Sequence, residues 1–244
     1  MANLSKRSTF VSPLVYILLL IILASCSSPF DELRMNMVDI PSGKFFMGCV
    51  DSLADPDEAP VHEVNVRSFR LCRVEVNQRL WKAVMKRNPS YHKGDAFPVE
   101  MVSFYDVEKF ISVLNRKTGR SYRLPTEIEW EYAASIGINR ADLPIDEMAW
   151  YESNSNGSSQ SVGEKHPDAM GLYDMLGNVN EWVMCVYEGT NYLGSVVSPI
   201  DSLEKEIVFR GGAFNSPKQY CRIHNRNHVR ADMRNYAIGL RLAE

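Results

Sequence analysis

Thr118-Gly-Arg-Ser-Tyr-Arg-Leu-Pro-Thr-Glu-Ile-Glu-Trp-Glu-Tyr-Ala133 contains both the end of one helix and the start of the next. Gly119 suits the left-handed backbone that closes a helix. Thr126, with Glu129 three positions on, has the spacing of a capping box, in which a hydroxyl and a carboxylate satisfy free backbone N–H groups. A helix is therefore expected from Thr126, turning Trp130, Ala133 and Ala134 inward. Upstream of Gly119, Phe104, Val107, Ile111 and Leu114 recur at spacings of three and four, and Ser103 with Asp106 marks that helix's start. Further back, Asn77 reads as an N-cap for a helix with Leu80, Trp81, Val84 and Met85 on one face, ending near Asn88-Pro89.

N-terminal to these helices the pattern is extended. Met37-Val-Asp-Ile40 and Lys44-Phe-Phe-Met-Gly48 flank the turn Pro41-Ser42-Gly43, and residues 51–60 form an acidic, proline-punctuated loop. Residues 61–76 alternate, with Val64 and Val66 in one register and Phe69 and Leu71 in a shifted one. The last hundred residues show little helical period and are rich in Gly, Asn and Ser. Such irregular backbone needs side chains, water or ions to satisfy it.

The chain has 244 residues, and its first 25 read as an export signal. Lys6 and Arg7 precede an apolar run of eleven residues from Leu14 to Ala24, well short of the ~20 needed to span a bilayer. Leu23-Ala-Ser-Cys26 looks like a bacterial lipobox, which makes Cys26 the expected lipidation site. Residues 26–36 are then a lipidated tether and residues 37–244 one domain. Removing the two charges of Lys6 and Arg7 takes the net charge from −3 to −5. No basic block points to nucleic acid. Cys49, Cys72, Cys185 and Cys221 remain, with three possible pairings open and no zinc-type spacing.

These motifs together resemble the sulfatase-modifying-factor family, the formylglycine-generating-enzyme-like domain. The resemblance runs over residues 37–243, through IPSGKFFMG, Pro60-Val-His62-Glu-Val64, Glu75-Val-Asn77, PVEMVS from Pro98, TGRSYRLPTEIEWEYA, GLYDMLGNVNEW from Gly171, RGG at Arg210 and IGLRL at Ile238. It implies an α+β fold, a C-type lectin-like variant with short twisted antiparallel strands, two to three helices and much irregular loop. Within this segment Arg123 is expected to pair with a glutamate, and Glu127 and Glu131 to share one helix face in a structural role.

The resemblance also assigns candidate sites. Catalytic relatives carry a copper(I)-binding cysteine pair, and Cys221 matches its second member. Ser216 stands at the first position, Pro217 replaces the histidine after it, and Ala213 replaces the serine after the paired glycines. A hydroxyl is a poor ligand for copper(I), which selects soft sulfur. Cys221 is alternatively a small buried residue or half of a disulfide. A family calcium loop maps to Leu176, Asn178, Val179 and Glu181, where Asn180 replaces a customary tryptophan, and a weaker second site to Asn154 and Ser155. His224 and His228 lie in apparent loop, and His62 is expected to be a structural donor.

The stretch 214–236 mixes Asn, Arg, His and Tyr, types suited to adaptable recognition. Phe214, Asn215, Tyr220, Asn225, Asn227, His228 and Tyr236 are the expected ligand face, open to a protein or a glycan, with Asn235 as a further diversifiable asparagine. The functional expectation is an extracytoplasmic lipoprotein, at the outer membrane or cell surface, acting as a binding or accessory module. The rival is a copper-dependent formylglycine-generating oxidase acting on exported sulfatases.

Overall fold

The computed structural model describes residues 27–138, 144–189 and 205–244. The signal segment 1–25 and Cys26 lie outside the described residues.

Helix α1 (Pro29–Met35) opens the described chain, where a tether is expected. Ser28 caps it by accepting the Asp31 N–H, Pro29 occupies the first turn, and Leu33 is buried. Ser-Pro-Phe-Asp there is a helix start, and α1 packs its Leu33 and Phe30 into the core that also holds Leu80. The three longer helices begin where their caps predict. They are α2 (Gln78–Met85) behind Asn77, α3 (Phe104–Thr118) behind the Ser103/Asp106 box, and α4 (Glu127–Gly137) behind the Thr126/Glu129 box. Gly119 takes φ 66° at the end of α3, as its position requires. Helix α2 stops at Met85, with Lys86 left-handed, a turn before the proline. A four-residue helix, α5 (Ile145–Met148), follows.

Strands β1 (Met37–Ile40) and β4 (Phe69–Cys72) pair antiparallel, as do β2 (Gly43–Met47) and β3 (His62–Val66). The break between β3 and β4 is the register shift seen in the sequence. The third sheet is ordered β7-β6-β5-β8 and joins β5 (Asn180–Val186), β6 (Glu206–Arg210), β7 (Arg226–Arg230) and β8 (Ile238–Leu240). Its β5–β8 pair is parallel, a departure from the expected all-antiparallel arrangement. His228 lies on β7, and so does not belong to the loop expected there.

The C-terminal residues stitch the halves together. Cys72 N donates to Leu242 O at 2.7 Å, Arg70 and Glu244 exchange backbone bonds at 3.1 and 2.9 Å, and Ala243 and Arg123 exchange another pair at 2.8 and 2.9 Å. One apolar core lies around Trp81, Phe110 and Trp182, with the Trp81 and Phe110 rings stacked 4.6 Å apart. A second surrounds Trp130, Val183 and Leu71, and it takes in Cys185 and Cys221.

Candidate functional site

Buried ion pairs fix the frame of the C-terminal region. Helix α4 turns Glu127 and Glu131 inward, and both are 0–1% exposed. Arg226 grips Glu127 through Nε and Nη2 at 2.7 and 2.9 Å, and Arg210 Nη1 adds a contact at 3.2 Å. Glu131 accepts from Gly48 N at 2.8 Å, from His224 Nδ1 at 2.8 Å and from Arg210 Nη2. Burial pushes the Glu131 carboxyl up, but Arg210 and His224 outweigh it and hold the group at about 2. Arg222 pairs with Glu58 and Arg226 Nη1 donates to Asp57 O, so the acidic loop is pinned over the same segment. Arg123 makes a bidentate pair with Glu129 at 2.6 and 2.7 Å. His62 Nδ1 lies 2.9 Å from Pro60 O, as a donor to backbone. These groups build structure.

Cys221 follows a short 3₁₀ turn, Lys218–Tyr220, and its side chain is buried at 2% exposure. Burial pushes its thiol up to about 12. A thiol in that state is not a thiolate at neutral pH. Ser216 Oγ, at the partner position, accepts the Ala213 N–H at 3.0 Å. Cys72, Cys185 and Cys221 are buried and form no disulfide, which closes each of the three pairings of the four cysteines left open by the sequence. Burial raises the Cys72 and Cys185 thiols as well.

The side chains of the expected calcium set already have protein partners. Glu181 is fully engaged by Arg241, whose Nε lies 3.0 Å from both carboxylate oxygens and Nη2 2.7 Å from Oε1, and by Trp130 Nε1 at 2.8 Å from Oε2. A guanidinium already neutralises it. Asn178 Oδ1 accepts from Gln160 N at 2.9 Å, while its Nδ2 donates to Glu75 Oε2 at 3.3 Å. At the second expected site, Asn154 bonds Tyr151 N and Ala149 O, and Ser155 Oγ donates to Phe214 O. Asn154 closes a turn there, and Ser155 ties that turn to Phe214.

Unmet oxygens lie beside Asn178. Glu75 Oε1 and Asp174 Oδ1 are buried and accept from no donor among the described residues, although the two carboxyl groups are in contact. Burial raises both carboxyls, Asp174 to about 6 and Glu75 well above its ordinary value. Two orphaned carboxylate oxygens next to an irregular turn are hard donors of the kind calcium takes, so these residues fit the ion better than Glu181 does. Both acids sit inside family motifs in the sequence, but nothing local shows that positions 75 and 174 meet.

The expected ligand face divides. Phe214 and Asn225 are buried at 1 and 2%, whereas Tyr220 and Tyr236 are each 43% exposed. Phe214 packs under Tyr236 with ring centroids 5.8 Å apart, and Asn215 Nδ2 donates to the Tyr236 hydroxyl at 3.3 Å. Asn227 Nδ2 donates to Asn225 Oδ1, which places Asn225 as a support under the surface. His228 stacks on Tyr187 at 3.5 Å and meets Glu206 at 2.7 Å. Tyr91 and His92, from a distant loop, join Tyr236 with centroids at 6.1 and 6.4 Å. No sequence pattern signals them.

A family model described as the sulfatase-modifying factor enzyme 1-like domain matches residues 27–244. The chain is 27% identical to chaperone protein LppX of Paenibacillus barcinonensis, over 66% of this chain and 75% of that protein. It is 25% identical to the formylglycine-generating enzyme of Thermomonospora curvata, over 82% and 88% of the respective chains. It spans 38% of the length of the serine/threonine-protein kinase pkn1 of Chlamydia pneumoniae, at 29% identity over 86% of this chain. Among solved structures, PvdO from Pseudomonas aeruginosa matches with a TM-score of 0.74 and 30% identity, over 85% of this chain and 93% of PvdO.

Proposed function

Because the chain belongs to the family of sulfatase-modifying factor enzyme 1-like domains, we propose that it serves as a binding or accessory module without formylglycine-generating oxidase activity. The observation that carries this reading is the state of Cys221. Its sulfur is enclosed, its thiol is held near 12, and Ser216 beside it in the motif spends its hydroxyl on a backbone N–H. Copper(I) chemistry of this kind needs a pair of sulfur ligands, and Ser216 does not supply the second. Similarity to a protein named a chaperone supports an accessory role.

In this reading Cys26 carries a lipid that holds the domain outside the cytoplasm, at the outer membrane or cell surface. No helix among the described residues is long and apolar enough to cross a membrane, and a lipid anchor requires none. Calcium, where bound, is held by Glu75 and Asp174 with the carbonyls of Leu176 and Val179, and it supplies rigidity to the turn under the C-terminal face.

The test uses the purified full chain, copper(I), oxygen and a peptide bearing a sulfatase cysteine motif. The peptide mass is expected to stay unchanged, and copper(I) titration to show no stoichiometric site that depends on Cys221. The 25% identity to a formylglycine-generating enzyme favours the rival oxidase reading. Loss of peptide mass, abolished by Cys221→Ala, would establish that rival.

A further inference from the structure

Tyr91 is 71% exposed on a loop held firmly from beneath. Gln78, buried on α2, donates from Nε2 to His92 O and Pro98 O and accepts at Oε1 from Asn88 Nδ2 and Gly94 N. Glu100 Oε1 accepts the His92 N–H at 2.8 Å. Met101 next to it takes φ 59°, a left-handed state that a side-chain-bearing residue adopts only under constraint. Its N–H donates to Asn235 O at 3.0 Å, tying this segment to the turn that carries Tyr236. The Tyr91 and Tyr236 rings consequently stand 6.1 Å apart at 54°, with His92 and Phe214 packed behind them. Ordering them in advance lowers the cost of binding.

The size and chemistry of this corner select an occupant. Two tyrosine rings at 71% and 43% exposure offer on the order of 250 Å². A stable protein interface needs about 800 Å² from each partner, so the corner fits a small ring. Asn215 Nδ2 donates to the Tyr236 hydroxyl, which keeps its own hydrogen as a donor, and Asn215, an exposed residue, has an acceptor in Oδ1. A donor and an acceptor side by side match adjacent sugar hydroxyls, each of which both donates and accepts. A polyproline segment presents carbonyl acceptors and no N–H, and would leave Asn215 Oδ1 unmatched.

We propose that Tyr91 and Tyr236, edged by Asn215, form a stacking platform for a neutral pyranose unit of a glycan. The proposal rests on the binding-module reading and names its ligand class.

Calorimetry and saturation-transfer NMR on the purified full chain, with triacetylchitotriose, cellotriose, maltotriose and mannotriose as probes, test it. At least one is expected to bind at about 1 mM or tighter and to receive saturation from the tyrosine rings. Tyr91→Ala should weaken that binding about tenfold, Tyr91→Phe should leave it near wild type, and Tyr236→Phe should weaken it by about threefold through loss of the donor. Tyr91 projects into solvent, so its truncation does not threaten the fold. Silence from all four sugars, unchanged affinity in Tyr91→Ala, or capture of decaproline in their place would overturn the assignment. A chain that converts the sulfatase peptide removes the underlying reading; a chain silent toward both peptide and sugars removes the saccharide assignment alone.

Discussion

Glu131 and Cys221 show how burial decides what a single group can do. Both are enclosed, but Glu131 has cationic partners and Cys221 has none. The Glu131 carboxyl is depressed from 4.5 to about 2. It therefore contributes stability that is fully present above pH 4.5 and is lost as pH falls toward 2, on the order of 3 kcal/mol. Urea unfolding between pH 2 and 6 should show this loss, and Glu131→Gln should lower stability at pH 7 and flatten the acid limb. Cys221→Ala removes only a small packed sulfur, so a cost of about 1 kcal/mol is expected in the same assay, with copper(I) uptake unchanged.

At the scale of elements, the turn between Asp174 and β5 carries the strongest constraints. Gly177 sits at φ 86°, and a Cβ there would lie 2.2 Å from Trp150 O. Gly177→Ala is accordingly expected to cost about 2–4 kcal/mol in thermal or denaturant unfolding. If Glu75 and Asp174 hold calcium, adding the ion should raise the melting temperature and a chelator should reverse the rise. Asp174→Asn should abolish that response, while Glu181→Gln should weaken the fold and keep it. An identical response in wild type and Asp174→Asn would place the ion elsewhere. The caps of α2, α3 and α4 were legible because each closes within three residues of sequence. The parallel β5–β8 pair, the 103-residue link from Glu75 to Asn178 and the docking of Tyr91 beside Tyr236 were not, since no local period encodes a partner so far away. Helix α1 is not legible for another reason: Ser-Pro-Phe-Asp reads equally as a loop or a capped start, and only Leu33's burial decides.

For the molecule as a whole, the family motifs made the fold legible and left the function to geometry, because the motif residues are mostly spent on architecture. Arg210, Glu127, Glu131, Glu181 and Arg241 form buried pairs under the surface. The motif lapses at Ser216, and the Tyr91–Tyr236 corner lies outside the buried pairs. The backbone bonds of residues 240–244 to residues 70, 72, 76 and 123 have a further consequence. Strand β4 cannot complete its hydrogen bonding until residues 240–244 reach it, and closure of such distant pairs comes late in folding. Fraying of that short segment would therefore loosen β4 and the approach to α4 at once.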